Sequence, residues 1–497
     1  MQKKIFVTAC LLLFTFSFGQ SHERKWGTMI PIYNKNEKAF SPVRQILKKL
    51  YIAEVNQNNG NLYIVSDNSN EIIEFKQKSP KFKSFYKIPG VEDSSSIEQI
   101  KFDSKNNLII SGKTSNADLA TNGAFSKDLI ATFNAGNSFV AKIDNKGKLL
   151  WFSYFYEIPL YSMSLTIDKN DNIYILNKRF RGDIFNNDSF QQKGDIPSKN
   201  DFQDALTKLN PQGDHIWSTF YSANDSQINS IAAGDEGFFV YGMHPGSRVK
   251  FFGDADSSNT NNKKTGSGNQ VFISKFNFDG ERLWSSYFGN EASYIPYPAA
   301  NVVKNPTYLT VIKDDVYFVT LHNNSINKAS KSNLATDNVY LSAPPFSIEN
   351  HTLTKFSGNG QRVWTTYLKS YAVLFKSLHN NELILSATIN DNYKDIASLT
   401  TNDAYQLKHA GMQDVYTYAL SLNGKELNYN TFYGFNGNDV GFSLPTFNGY
   451  YTLGYSSYYN QEESLFATRK APLNKFTLFD TGIYVGNFLG YFSKNGK

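Results

Sequence analysis

The chain has 497 residues, of which 40% are hydrophobic, 15% aromatic and 19% charged, with a formal net charge of +6. A charged share below the usual quarter or so excludes a disordered or polyionic chain, and so small a surplus over this length excludes a nucleic-acid reader built on a basic footprint. Phe and Tyr, 40 and 31 of them, suit half-buried strands. The first stretch in chain order, 1–19, reads as a secretory signal peptide. Lys3 and Lys4 form its basic start, Ile5 to Phe18 its apolar run, and Ser17 and Gly19 its small residues, so Gln20 becomes the new N-terminus. The apolar run is too short to span a membrane, and no later run is long enough. Cys10, the only cysteine, lies inside that run rather than at its end, the wrong place for a lipid-bearing cysteine. The mature chain, 20–497, therefore has no disulfide, thiol chemistry or thiolate metal site.

From Gln20 onward the sequence repeats. One element is a β-branched or aromatic run after an Asn, Asp or Gly turn. It begins at Asn61, Asn107, Asn172, Gly237, Asp315, Glu382 and Gly449, in steps of about 65 residues. Val43 to Tyr51, helix-like by composition, occupies the first-strand slot of the first unit. The Lys-rich run Lys76, Lys78, Lys81, Lys83 and Lys87 alternates along a strand pair and reads as a solvated sheet edge. A second element is an extended run, a polar turn with Gly, and a strand opening on Trp: Gly147 and Trp151, Gly213 and Trp217, Gly280 and Trp284, Gly360 and Trp364. The Gly supplies positive φ and the alternating strand has one buried face. In a fifth copy Gly424 precedes Asn428, which stands where Trp is expected.

Each unit thus reads strand, turn, strand, insert, strand, Gly turn, Trp strand. The expectation is an all-β fold, a seven-bladed β-propeller of four-stranded antiparallel blades. Its ring is expected to close through the N-terminal strand. The last residues stop just after a repeat Gly, Gly496, and Arg24-Lys25-Trp26 supplies the missing Trp strand.

The units resemble the SBBP β-propeller repeats of exported bacterial proteins. The resemblance is carried by Asn107 to Gly112, Thr121-Asn122-Gly123-Ala124-Phe125, Ser138-Phe139-Val140-Ala141-Lys142 and Gly147 to Tyr154, and again by Thr400 to Tyr405 with Asp414 to Thr417. The leader ending in Phe-Gly-Gln and the Asn/Lys/Phe/Tyr bias look like exported proteins of Bacteroidota. The resemblance implies the propeller and hardly any function, because propellers host many.

The chemistry-bearing residues read blandly. There is no Gly-x-Ser-x-Gly, His-Glu-x-x-His or Gly-rich phosphate loop. The histidines are scattered, and His244, His322 and His409 fall in inserts as surface residues. Asp168 to Asn172 lacks the Gly and distant Glu of a calcium loop and reads as a strand turn. The Trp set, in register, reads as packing between blades rather than a sugar platform. Long inserts at 113–137, 178–202, 243–270, 321–350, 388–413 and 456–481 leave one face together with aromatic runs at 154–161 and 294–308. Either these are tolerated loop drift or they form a rim for a protein partner. On the second reading Tyr294, Tyr297, Tyr308, Tyr455, Tyr458 and Tyr459 are the candidate partner-binding residues.

The functional expectation is an exported non-catalytic scaffold without metal or cofactor, periplasmic or outer-membrane-associated rather than displayed on the cell surface. Its partner is expected to be an envelope protein, as cap, plug or support of an outer-membrane transport or secretion assembly, with no nucleic acid and no membrane span. The alternative is a carbohydrate-binding or carbohydrate-active propeller with a glycan site in its central funnel.

Overall fold

The computed structural model describes residues 22–30, 51–66, 69–90, 95–128, 137–155, 164–180, 203–221, 227–244, 268–289, 292–296, 308–323, 333–369, 374–377, 382–390, 400–459, 477–478 and 483–494. The leader, 1–19, lies outside these residues. Every described element is a strand or a turn.

Strand β1 (His22–Ile30) comes first, and four-stranded antiparallel units follow. The first unit is β2 (Tyr51–Val55), β3 (Leu62–Ser66), β4 (Glu71–Phe75) and β5 (Phe82–Lys87). The second is β6 (Ser95–Phe102), β7 (Leu108–Thr114), β8 (Asn137–Ile143) and β9 (Leu149–Tyr154). The third is β10 (Ser164–Ile167), β11 (Ile173–Phe180), β12 (Gln203–Leu209) and β13 (His215–Phe220). The fourth is β14 (Gln227–Ala233), β15 (Phe238–His244), β16 (Gln270–Phe276) and β17 (Arg282–Phe288). In the fifth the inner strand is split into β18 (Ser293–Tyr294) and β19 (Leu309–Ile312), followed by β20 (Asp315–Asn323), β21 (Glu349–Phe356) and β22 (Arg362–Leu368). The sixth is β23 (Leu374–Ser377), β24 (Glu382–Asn390), β25 (Gln413–Ser421) and β26 (Leu427–Tyr433). A last group holds β27 (Asn438–Thr446), β28 (Gly449–Tyr459), β29 (Thr477–Leu478) and β30 (Ile483–Lys494). A single parallel bridge, Gln413 to Asn438, joins it to the sixth.

The innermost strands adjoin one another in the order β2, β6, β10, β14, β19, β23 and β27, and β27 adjoins β2. Blades arranged radially in this way make a β-propeller. The middle strands are buried on both faces, so they read as near-continuous apolar runs. In β7, Leu108 and Ile110 pack towards the first unit while Ile109 packs towards the third. The core is thus a series of inter-blade layers, each filled by alternate residues of two blades.

The Trp residues join the blades. Trp151, Trp217, Trp284 and Trp364 each donate their indole N–H to a carbonyl in the Gly turn of the following blade: Pro211 (3.3 Å), Phe278 (3.1 Å), Gly358 (3.0 Å) and Leu422 (3.2 Å). Each ring lies against that turn's glycine, Gly213, Gly280, Gly360 or Gly424, all at positive φ. An indole in such a layer needs a partner of this kind, and packing between blades accounts for these four.

A β-bulge sets this register. Lys142 pairs with Trp151 but Ile143 with Leu149, so Leu150 is extruded. The same bulge extrudes Ile216, Leu283 and Val363. In the sixth blade Ala419 pairs with Tyr429 and Leu420 with Leu427. The Trp slot there belongs to Tyr429, and Asn428, expected in that slot, is the extruded residue. The turn is one residue longer: Ser421 bonds Glu426, whereas Asp144 bonds Lys148. Strand β1 pairs antiparallel with β30, Arg24 opposite Phe492 and Trp26 opposite Tyr491, with its bulge at Lys25. Its backbone register therefore repeats that of the Trp strands. The first and last groups also touch directly: Tyr451 Oη donates to Gly60 O at 2.7 Å and Gln77 Nε2 to Tyr491 Oη at 2.8 Å.

Candidate functional site

In the second, fifth and sixth blades the described parts of the inserts fold back along the outer strand of their own blade instead of standing out as a rim. Thr121 donates its N–H to Phe152 O (3.0 Å), and its hydroxyl accepts from Phe152 N (3.0 Å). Thr336 does the same to Thr365, at 3.0 and 3.2 Å. Thr401 donates to Asn430 Oδ1 and accepts from Asn430 N at 3.3 Å. The Thr-x-x-Ala/Val-aromatic segments are clips that satisfy backbone groups an edge strand would otherwise expose. Thr336→Val keeps the shape and removes the acceptor for the Thr365 amide. The expected cost is about 1 kcal/mol, seen in a urea melt, with faster hydrogen exchange at Thr365 and recovery in Thr336→Ser. Unchanged exchange at Thr365 would contradict the clip.

The tyrosine candidates separate accordingly. Tyr294 lies half-buried on β18. Tyr308 is 4% exposed, packed under β20, with its hydroxyl buried and without a hydrogen-bond partner among the described residues. Burial pushes that phenol far above its ordinary range. Tyr455 is 8% exposed in the core shared by the last and first groups. These two were expected on a rim and are core residues instead. Tyr308 immediately precedes the inner strand β19 of its blade, and Tyr455 sits mid-strand between Val440 and Asn487. Tyr297 lies outside the described residues. Tyr458 and Tyr459 end β28, and only their backbone is described.

Two of the histidines expected on insert surfaces are inside instead. His244 and His322 are buried strand residues, whereas His409 lies in its insert, half-buried, its Nε2 3.2 Å from Ile389 O. His322 Nδ1 lies 2.8 Å from Ser293 Oγ and its Nε2 2.9 Å from Thr352 Oγ1. Burial first, and the neighbouring His351 second, lower its pKa from 6.5 to about 3. A folded value below the unfolded one means stability present above the unfolded pKa and lost as pH falls from about 6.5 towards 3. Between pH 7 and 4.5 this one group is expected to account for about 2–3 kcal/mol of lost stability. Urea titrations should show His322→Gln losing that much less over the interval; equal losses would refute the assignment.

The tight-turn face holds a cavity of about 480 Å³ at the centre of the ring. It is lined by the inner-strand ends and turns of the first five blades, among them Glu54, Lys101, Asp103, Asp168, Asp235 and Lys313. Its polar groups hold the turns that carry them. Asp103 accepts from Lys105 N (3.0 Å) and Asn107 N (2.7 Å) and pairs with Lys142 at 2.8 Å. Burial opposes that charge, but the Lys142 and Asn107 bonds outweigh it and hold the carboxyl below the usual range. Asp168 accepts from Asn170 N, Asn172 N and Tyr174 Oη at 2.8, 2.9 and 3.0 Å. These are Asx turns.

Other groups bridge neighbouring blades. Asn58 donates to Asn106 Oδ1 (2.6 Å), Ser104 N and Oγ both donate to Asp171 (2.8 Å each), Ala233 N donates to Thr166 Oγ1 (3.0 Å) and Asp235 N to Lys313 O (3.0 Å). Gln57 Nε2 reaches Pro445 O of the last group at 3.2 Å. Asn106, Asp171 and Lys313 take φ of 65°, 65° and 59° in this belt, a conformation that costs a non-Gly residue about 1–2 kcal/mol and is held by the bonds around it. Lys101 pairs with Glu54 at 2.7 Å. No group of three or more metal-ligating side chains occurs among the described residues.

Sequence reading missed the extruded bulge residues. Leu150, Ile216, Leu283 and Val363 are 46%, 48%, 48% and 49% exposed on consecutive blades. The signal was present, an aliphatic residue before each Trp, but simple alternation hides a bulge.

No family model and no curated protein matches the chain. Among solved structures it is similar to the Dos1 propeller, with 10% identity over 96% of this chain and 97% of that one, TM-score 0.41. It is similar to a PL25 polysaccharide lyase, an ulvan lyase, with 9% identity over 94% of each chain, TM-score 0.42. It is also similar to BamB from Moraxella catarrhalis, with 9% identity over 94% of this chain and 97% of that one, TM-score 0.35. Likeness at this level says nothing of function. No helix among the described residues is long and apolar enough to cross a membrane.

Proposed function

We propose that the chain is an exported, non-catalytic propeller of seven blades, closed by its N-terminal strand, that serves as a protein-binding scaffold. Its place is the periplasm or the outer membrane, as an accessory to a transport or secretion assembly, and its kin are SBBP-type repeat proteins of Bacteroidota. The observation that carries the reading is the belt around the funnel. Asp103, Asp168 and Asp171, which a funnel enzyme would aim at a substrate, are bonded to turns and to the next blade. A braced hub suits a rigid docking body.

The second reading, a glycan in the funnel, is favoured by a cavity of about 480 Å³ with Asn, Asp and Lys in its wall. Cross-linking the tagged full chain in native envelopes, followed by capture and mass spectrometry, tests the first. Enrichment of one outer-membrane or secretion component supports it. Turnover of any member of a polysaccharide panel, or capture that does not exceed an untagged control, overturns it.

A further inference from the structure

We propose that the outer edge of the first blade, strand β5, receives an acidic extended segment of a protein partner as an added strand. This rests on the protein-binding reading and names the partner's chemistry.

β5 ends the order β2-β3-β4-β5 and, among the described residues, pairs with no strand except β4. In the second, fifth and sixth blades the link between the second and third strands returns along the outer strand and clips it through Thr121, Thr336 or Thr401. In the first blade that link is residues 67–70 alone. Four residues reach at most about 14 Å. They must join β3 to β4, and a return trip past β5 would cross further strands about 4.8 Å apart. This blade therefore cannot cover its edge as those three do.

The edge is also rich in lysine. Lys76, Lys78, Lys81, Lys83 and Lys87 are exposed along β5 and the turn before it. Glu74 is buried opposite Lys83 and paired with it at 2.9 Å, and Glu71 stands opposite Lys87, which leaves Lys76, Lys78 and Lys81 with no acidic residue across from them in the β4–β5 pairing. Lysines on an edge repel a second copy of the same edge. The same charges attract a strand carrying Asp or Glu, so one device rejects self-pairing and selects the partner. Backbone bonds would supply affinity, and charge pairs with Lys76, Lys78 and Lys81 the selectivity.

The test uses the full mature chain and a synthetic peptide of about ten residues alternating Glu with Thr or Val, compared with its Lys-for-Glu counterpart. The acidic peptide is expected to bind and the basic one not. Amide exchange in 82–87 should slow on binding. Lys78→Glu/Lys81→Glu should weaken binding by at least about tenfold, and Lys78→Gln/Lys81→Gln by less, with circular dichroism unchanged. Absence of binding, binding without slower exchange in 82–87, or equal affinity in both variants would overturn the proposal. Envelope capture through another surface would still succeed in those cases, which separates this failure from failure of the scaffold reading.

Discussion

Deleting residues 21–32 is expected to lower the melting temperature by well over about 5 °C and to promote self-association. β1 pairs with β30 at His22 to Arg24 and again at Trp26 to Ile30. Its removal strips β30 of a ladder and leaves a long row of unpaired amides and carbonyls on a strand that is otherwise core. Phe488, Leu489 and Phe492 on β30 are fully buried, so a frayed β30 would expose apolar surface as well. Arg24 also donates to Tyr433 Oη at 3.3 Å and lies over the Tyr405 ring, tying the strand to the sixth blade. Calorimetry on the shortened chain, with a synthetic 21–32 peptide added back, checks this. An unaltered transition would show that the strand is dispensable and that closure through it is wrong.

Gly424→Ala is expected to destabilise far more than Gly123→Ala, although both glycines have positive φ. Gly123 has φ 89° and open space where a Cβ would stand. Only the left-handed backbone is penalised there, by about 1–2 kcal/mol. Gly424 has φ 74°, and its Cβ would meet Trp364 at 2.6 Å. Overpacking adds about 1–3 kcal/mol, and a displaced Trp364 ring would also lose its bond to Leu422 O. Denaturant midpoints for both variants, repeated in a Trp364→Ala background, separate the two effects. In that background the Gly424 change should fall to the level of Gly123. Equal costs for the two glycines in the natural background would remove the Trp–Gly contact from the account of blade packing.

The strand-turn-strand units, the Gly turns and the Trp register were legible in the sequence because each rests on neighbours close along the chain. Positive φ at Gly147, Gly213, Gly280 and Gly360 is a local demand, and β-branched runs between polar turns are a local pattern. Reading went astray where one residue changed the count. The longer turn before Tyr429 shifted the Trp slot, and the bulge at Leu150 and its counterparts turned an aliphatic residue outward.

The candidate site was the least legible part. A Tyr in an apparent loop is indistinguishable by composition from a Tyr that immediately precedes an inner strand, and Tyr308 and Tyr455 differ from rim residues only through strands brought from elsewhere. Likewise Thr121, Thr336 and Thr401 look like ordinary loop residues until the outer strand lies beside them. By itself the sequence determined the class of fold, the four-stranded blade unit and the packing of the repeated Trp between blades, since these follow from periodicity and turn chemistry. Only the tertiary structure decided which polar groups are committed, as at Asp103, Asp168 and Asp171, and which outer strand pairs on one side alone among the described residues, as β5 does. Those depend on groups far apart in the chain meeting in space, and no local pattern encodes that.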